Sequence, residues 1–221
     1  MIATSKGRKA QSGEVGAGSP SDCATIKRAA AGVRCHSGWA AAILACGSRD
    51  AVTILERRRW QLCDSAVEGA KQPFHYAEPL PLAEAEAFID RCRETTERLA
   101  AAAIAELKEV ANIQNLALPT CSILSASGRK LPLLKNILAS HMLIHAAEGE
   151  FYRPAIAAAC EAAGIAVLRV REAETLRQAS DQIGLPESRL NARLIALGKA
   201  LGPPWTADQK LATLGAWLAL A

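Results

Sequence analysis

Gly32-Val33-Arg34-Cys35-His36-Ser37-Gly38-Trp39-Ala40-Ala41-Ala42-Ile43-Leu44-Ala45 is the stretch on which the fold turns. The apolar run from Gly38 to Ala45 is short, and Cys46-Gly47-Ser48-Arg49-Asp50 ends it with turn chemistry. A β-branched run, Val52-Thr53-Ile54-Leu55, follows, then Glu56-Arg57-Arg58-Arg59 and Trp60-Gln61-Leu62-Cys63. Two or three antiparallel strands joined by tight turns fit this pattern between Gly32 and Cys63. Side chains alternate along a strand, so Arg57 and Arg59 share a face that Arg58 opposes. Three arginines there guard an exposed sheet edge against pairing with other chains.

Beyond Cys63 the pattern changes. Asp64 to Pro81 carries Gly69, Pro73, Pro79 and Pro81 and reads as a long loop. A helix is expected over 82–111, because Phe88, Cys92, Leu99, Ala103, Leu107 and Val110 keep to one stripe. Leu116 to Leu124 reads as a buried strand despite Pro119, and Ser125 to Lys130 breaks it. A second helix is expected from Pro132 to Glu148, stopped at Gly149, and another over 154–163, with Gly164 just past its end. Ile165 to Val170 is a short strand, and helices over 172–182, 187–201 and 206–220 finish the chain. Strands that alternate with helices should pair in parallel through right-handed crossovers. The expected fold class is therefore α/β, a mixed sheet of antiparallel hairpin strands followed by parallel strands and flanked by helices. Glu150-Phe151-Tyr152-Arg153 is expected to pack the break between two helices, and the four tryptophans to anchor the core.

Composition bounds the function. The chain has 221 residues, 50% apolar and 22% charged, which is too apolar for a disordered chain. No run of about 18 uncharged apolar residues offers a membrane span, and no stretch has the layout of a signal peptide. Residues 1–34 hold Lys6, Arg8, Lys9, Lys27, Arg28 and Arg34 against Glu14 and Asp22, so they account for the whole net charge of +4. We read 1–29 as a loose extension able to attract polyanions weakly, and 30–221 as a single domain. Its balanced charge differs from that of a strongly basic nucleic-acid binder. The seven cysteines lie at least 11 residues apart, without the paired spacing of a zinc site. Their odd number fits reduced thiols in a cytoplasm.

The order of elements resembles the ribonuclease H-like superfamily, which includes the Holliday-junction resolvases and the actin-like ATPases. The resolvase type opens with a strand ending in Gly-Ile-Asp, a Gly-rich turn and then Gly-aromatic-Ala/Gly. Here Gly32-Val33-Arg34 is followed by Cys35-His36-Ser37 and Gly38-Trp39-Ala40. The sequence is also similar to a group of bacterial proteins. The resemblance implies a nuclease fold whose clustered carboxylates hold two divalent metals. This chain departs from that pattern. Arg34 stands where the first acid belongs, and Cys121-Ser122-Ile123-Leu124-Ser125 offers none for the second. Asp208 could match the last acid, near the start of a C-terminal helix. It also has a structural account, because Thr206 and Gln209 form a capping box around it. The Asp-x-Gly turns of the actin-like ATPases are missing.

Two other constellations carry chemistry. His141, His145 and Glu148 fall at spacings of four and three on the second helix, so one helix face presents two imidazoles and a carboxylate. Such a set is a candidate site for a divalent metal. Ser127-Gly128-Arg129-Lys130 joins a strand to a helix and is a candidate anion site for nucleic acid or another phosphate-bearing ligand. It lacks the Walker spacing. Three functional readings remain open: a non-catalytic relative binding a polyanion or a protein partner, a metal-dependent hydrolase centred on His141, His145 and Glu148, and a structural subunit assembling through apolar helices.

Overall fold

A computed structural model describes residues 27–126, 128 and 130–221. The extension read over 1–29 lies outside these residues except for its end, because the first strand already starts at Lys27. Five strands form one mixed sheet in the order β3-β2-β1-β4-β5. β1 (Lys27–His36), β2 (Trp39–Gly47) and β3 (Val52–Gln61) are an antiparallel meander. β4 (Leu116–Ser125) runs parallel to β1, and β5 (Ala166–Arg171) runs parallel to β4. Hairpins can join antiparallel neighbours directly, whereas parallel neighbours need a crossover, and helices supply it. The β1–β2 turn closes on Ser37 and Gly38, with His36 paired to Trp39 and Gly38 at φ +80. That backbone conformation explains the glycine.

Helices cover both faces of the sheet. On one face lie α1 (Pro73–Ala77), α2 (Leu82–Ile113), α3 (Leu134–Leu138), α4 (His141–Glu150) and α5 (Arg153–Ala162). Their buried side chains meet Val33, Cys35, Ala42, Leu44, Cys121 and Ile123 of the sheet in one core. The other face carries α6 (Thr175–Ile183), α7 (Glu187–Leu201) and α8 (Ala207–Leu220). Leu124 and Val170 join their core, with Trp217 fully buried in it. No helix among the described residues is long and apolar enough to cross a membrane.

Two expectations differ from the structure. The segment 64–81 is not all loop, because Pro73 opens the short helix α1. Proline suits the first helical turn, where its missing N–H has no partner to lose. The single helix expected over 132–148 is two helices, α3 and α4, broken at Ala139-Ser140, and α4 continues through Gly149 to Glu150. Tyr152 and Arg153 do pack the junction that follows. Tyr152 turns its hydroxyl to the carbonyls of Ala70 and Lys71, and buried Arg153 donates from Nε to the Leu124 carbonyl at 2.6 Å.

The close seat of α8 on the sheet is what builds the site. A Cβ at Gly32 would lie 1.9 Å from the Ala212 carbonyl oxygen and 2.5 Å from the Ala216 amide nitrogen. Only glycine lets the α8 backbone approach β1 that closely. Gly32, Arg34 and His36 share one strand face, and Asp208 lies one helical turn before Ala212. The approach at Gly32 therefore brings Asp208 over Arg34.

Candidate functional site

The carboxyl ends of β1, β4 and β5 lie together, and α8 begins above them. At this edge the Arg34 guanidinium forks between two acids. Nη1 donates to Asp208 and Nη2 donates to Glu172 Oε1 at 2.6 Å. Glu172 opens the 3-10 turn Glu172–Glu174 directly after β5. His36, two residues beyond Arg34 and on the same face, places Nε2 at 2.8 Å from Asp208 Oδ1 and 3.0 Å from Arg34 Nη1. Asp208 is fixed in turn by the expected capping box: Thr206 Oγ1 accepts from the Asp208 amide, and Gln209 Oε1 accepts from the Thr206 amide.

The electrostatics are those of a closed ion-pair network. Hydrogen bonding to Arg34 holds the Glu172 carboxyl below its ordinary value despite partial burial. Burial, and then the Arg34 charge, push His36 below its usual value. Nε2 of His36 thus sits between the Arg34 guanidinium and the Asp208 carboxylate, in contact with both. Arg153 adds a second cation that acts on both Glu172 and His36. Cys35 points to the opposite face, where burial pushes its thiol up to about 12, so it offers no nucleophile here.

Beside the network runs a stack. Trp39 lies against the His36 ring, with centroids 4.3 Å apart and planes 10° apart. The Arg59 guanidinium sits 3.4 Å above the Trp39 ring. Register explains the row: His36 pairs with Trp39, Arg34 with Ala41, and Ala41 with Arg59, so these five side chains share a face. Arg57 is on that face too and donates to the carbonyls of Gly202 and Pro204. Arg58 opposes them and reaches Glu56 and Glu106. β3 is an edge strand, as the arginine run implies.

The resemblance to the ribonuclease H-like superfamily implies two divalent metals held by carboxylates at this edge, and the residues present do not fit them. Glu172 and Asp208 are both engaged by a fixed cation, and Arg34, Arg153 and His36 supply no anionic ligand. Magnesium takes oxygen ligands and keeps near-octahedral geometry, for which two already neutralised acids are too few.

The other candidates fall elsewhere. Ser127 and Arg129 lie outside the described residues. Gly128 and Lys130 are exposed after β4, at the same sheet end as Arg34. The helix expected to start beside them begins only at Leu134 and is five residues long. His141 and His145 are exposed on α4, with their Nε2 atoms 3.0 Å apart. Glu148 is turned away from them and is buried. Its Oε1 accepts from the amides of Phe74 and His75 at 2.8 and 3.1 Å and lies 3.2 Å from His75 Nδ1. His75, on α1, joins the two exposed imidazoles: the three rings offer ligand atoms all within 4.8 Å of one another. This group packs on the α2 side of the sheet, opposite the face that carries Asp208.

Sequence reasoning missed Glu172 and His75. Glu172 had a usable signal in its place directly after a predicted parallel strand, where sites gather. His75 was hidden by reading 64–81 as loop.

No family model matches the chain, and no curated protein matches it. Among solved structures, it is similar to T. thermophilus RuvC in complex with a Holliday junction substrate, with a TM-score of 0.50 and 10% identity, over 86% of this chain and 91% of that one. A Thermus thermophilus RuvC structure matches over the same shares at 10% identity and a TM-score of 0.48. At such identity the likeness speaks to the fold alone. The fold is ribonuclease H-like.

Proposed function

We propose that this chain is a ribonuclease H-like module that binds a nucleic acid or a similar polyanion without cutting it. One observation carries the reading: the Arg34 guanidinium is bonded to both Glu172 and Asp208, at the strand end where the resemblance calls for an acid and metal. An internal cation takes the role of neutralising these acids, so the two-metal step that stabilises attacking and leaving oxygens has no ligands to support it. Binding is a separate matter. The similar RuvC structure holds a Holliday junction, which supports nucleic acid as the partner class. The row Arg59–Trp39–His36 gives a cation and two stacked rings, with Arg59 exposed at the edge. His36 and Arg59 cover the two faces of Trp39, so the exposed Arg59 guanidinium is the group placed to meet phosphate. Lys6, Arg8, Lys9, Lys27 and Arg28 of the N-terminal stretch add a salt-dependent attraction.

The test is fluorescence anisotropy with labelled duplex, single-stranded and four-way-junction DNA at several salt concentrations. Binding should weaken as salt rises, and Arg59→Ala, like Trp39→Ala that removes the seat of Arg59, should lower affinity and reduce the salt slope by about 1. Absence of binding to all three at low salt, or indifference to both substitutions, rejects the reading.

A further inference from the structure

We propose that His75, His141 and His145 form a binding site for a divalent transition metal of the zinc class, with Glu148 as the carboxylate that orients His75. The proposal is independent of the polyanion reading, because the site lies on the opposite face of the sheet and uses other elements.

The placement follows from packing. α1 and α4 bury Phe74, Ala77, Ile144 and Ala147 in the same core, which sets His75 against the exposed side of α4. His141 and His145 are one turn apart and point the same way. Ring centroids are 4.5 Å apart between His141 and His145, 4.7 Å between His75 and His145, and 5.6 Å between His75 and His141. A tetrahedral zinc with Zn–N bonds of ~2.0–2.1 Å needs its nitrogens about 3.3 Å apart. Here two Nε2 atoms are already 3.0 Å apart, and all three rings offer ligand atoms within 4.8 Å. Small rotations about the side-chain torsions close the difference.

Glu148 is the second, independent observation. It is a carboxylate only 6% exposed, and among the described residues no lysine or arginine pairs with it; Oε1 meets only the Phe74 and His75 amides and His75 Nδ1. It accepts from the His75 amide and faces Nδ1 of the same residue. The neutral tautomer with hydrogen on Nδ1 then leaves Nε2 as the free nitrogen, carrying a lone pair. A carboxylate behind a ligating histidine fixes the ring and raises its basicity. Its other oxygen, Oε2, is buried with no partner. This is an expensive arrangement for a helix junction alone.

The donor set names the metal class. Three imidazole nitrogens suit zinc and its neighbours, whereas magnesium and calcium prefer oxygen. The exposure of His141 and His145 leaves the outer side open, so a water or a small anion completes four-coordination.

The test uses the full chain stripped with a chelator. Zn²⁺ is titrated by calorimetry, and Co²⁺ by visible absorption. The expected result is one ion per chain and the intense visible bands of four-coordinate Co²⁺, with no thiolate charge-transfer band. His141→Ala and His145→Ala, at exposed positions that the fold tolerates, should each weaken binding by ~100-fold, and Glu148→Gln by ~10–100-fold. At the same Zn²⁺ concentration, the Tm of the parent should rise more than that of His141→Ala. Failure to bind one ion per chain overturns the proposal. So does binding that His141→Ala and His145→Ala do not weaken, or a thiolate band placing the metal on cysteine.

Discussion

Replacing Arg34 by alanine leaves Glu172 and Asp208 facing one another without their shared cation. Side-chain exposure is 19% for Arg34, 30% for Glu172 and 19% for Asp208, so the network lies between a surface and a buried ion pair. A hydrogen bond to a charged group contributes ~1.5–3 kcal/mol, and partial exposure takes each of the two to the lower end. Two such bonds total about 3 kcal/mol, and solvent screens the repulsion between the two partly exposed acids, so the expected loss is about 3 kcal/mol. For a domain of this size each kcal/mol lowers the Tm by ~2–4 °C, so the variant should melt about 6–12 °C lower. Urea unfolding followed by circular dichroism gives the same quantity through the midpoint at constant slope. Adding Asp208→Asn removes one of the stranded charges, so the double variant should lose at least ~1 kcal/mol less than the sum of the single losses. Millimolar Mg²⁺ should stabilise Arg34→Ala more than the parent, because the freed acids can then accept a cation. A loss below ~0.5 kcal/mol, or strict additivity, would refute the view that the guanidinium holds these acids together.

Other outcomes follow from the same geometry. Gly32→Ala forces a methyl into the α8 backbone at Ala212 and should cost more than ~3 kcal/mol, measured by urea midpoint; a parent-like midpoint would mean that α8 sits further off. Ser122→Ala removes a buried hydroxyl that has no partner, so stability should stay level or rise by up to ~1 kcal/mol, and a loss above ~1 kcal/mol would reveal a hidden bond. Acid should destabilise the fold in two stages. Folded His36 resists the proton that the unfolded chain accepts near 6.5, so stability falls as pH drops through that value. Glu172, held below its ordinary 4.5 by Arg34, stabilises the fold above that pH and loses the contribution as pH falls through its lower folded value. Tm recorded against pH should show both stages, with the first absent in His36→Gln.

Much of this architecture is written locally. The stripe of Phe88, Cys92, Ala103 and Leu107 is buried along α2 as its spacing requires, and the Thr206–Gln209 box caps α8. Pro119 did not break β4, because the strand is held between β1 and β5 on both sides. The face shared by Arg57 and Arg59 was legible from alternation alone. What could not be read locally is contact across long separations. Arg34 and Glu172 are 138 positions apart, and no periodicity links them. The Gly32 approach that decides Arg34–Asp208 depends on where α8 lands. Glu148 shares a helix with His141 and His145, and spacing grouped the three. Burial turned its carboxylate to the amides of α1 instead, and His75 entered from a segment whose prolines read as loop.

If Arg34 stands in for metal at this edge of the sheet, the chain leaves nucleic acid uncut. Incubation of the purified chain with labelled branched and duplex DNA in Mg²⁺ or Mn²⁺, resolved on a denaturing gel, tests this most directly. The strands should remain intact over hours at protein excess. Divalent-dependent cutting that disappears in Asp208→Asn would contradict it.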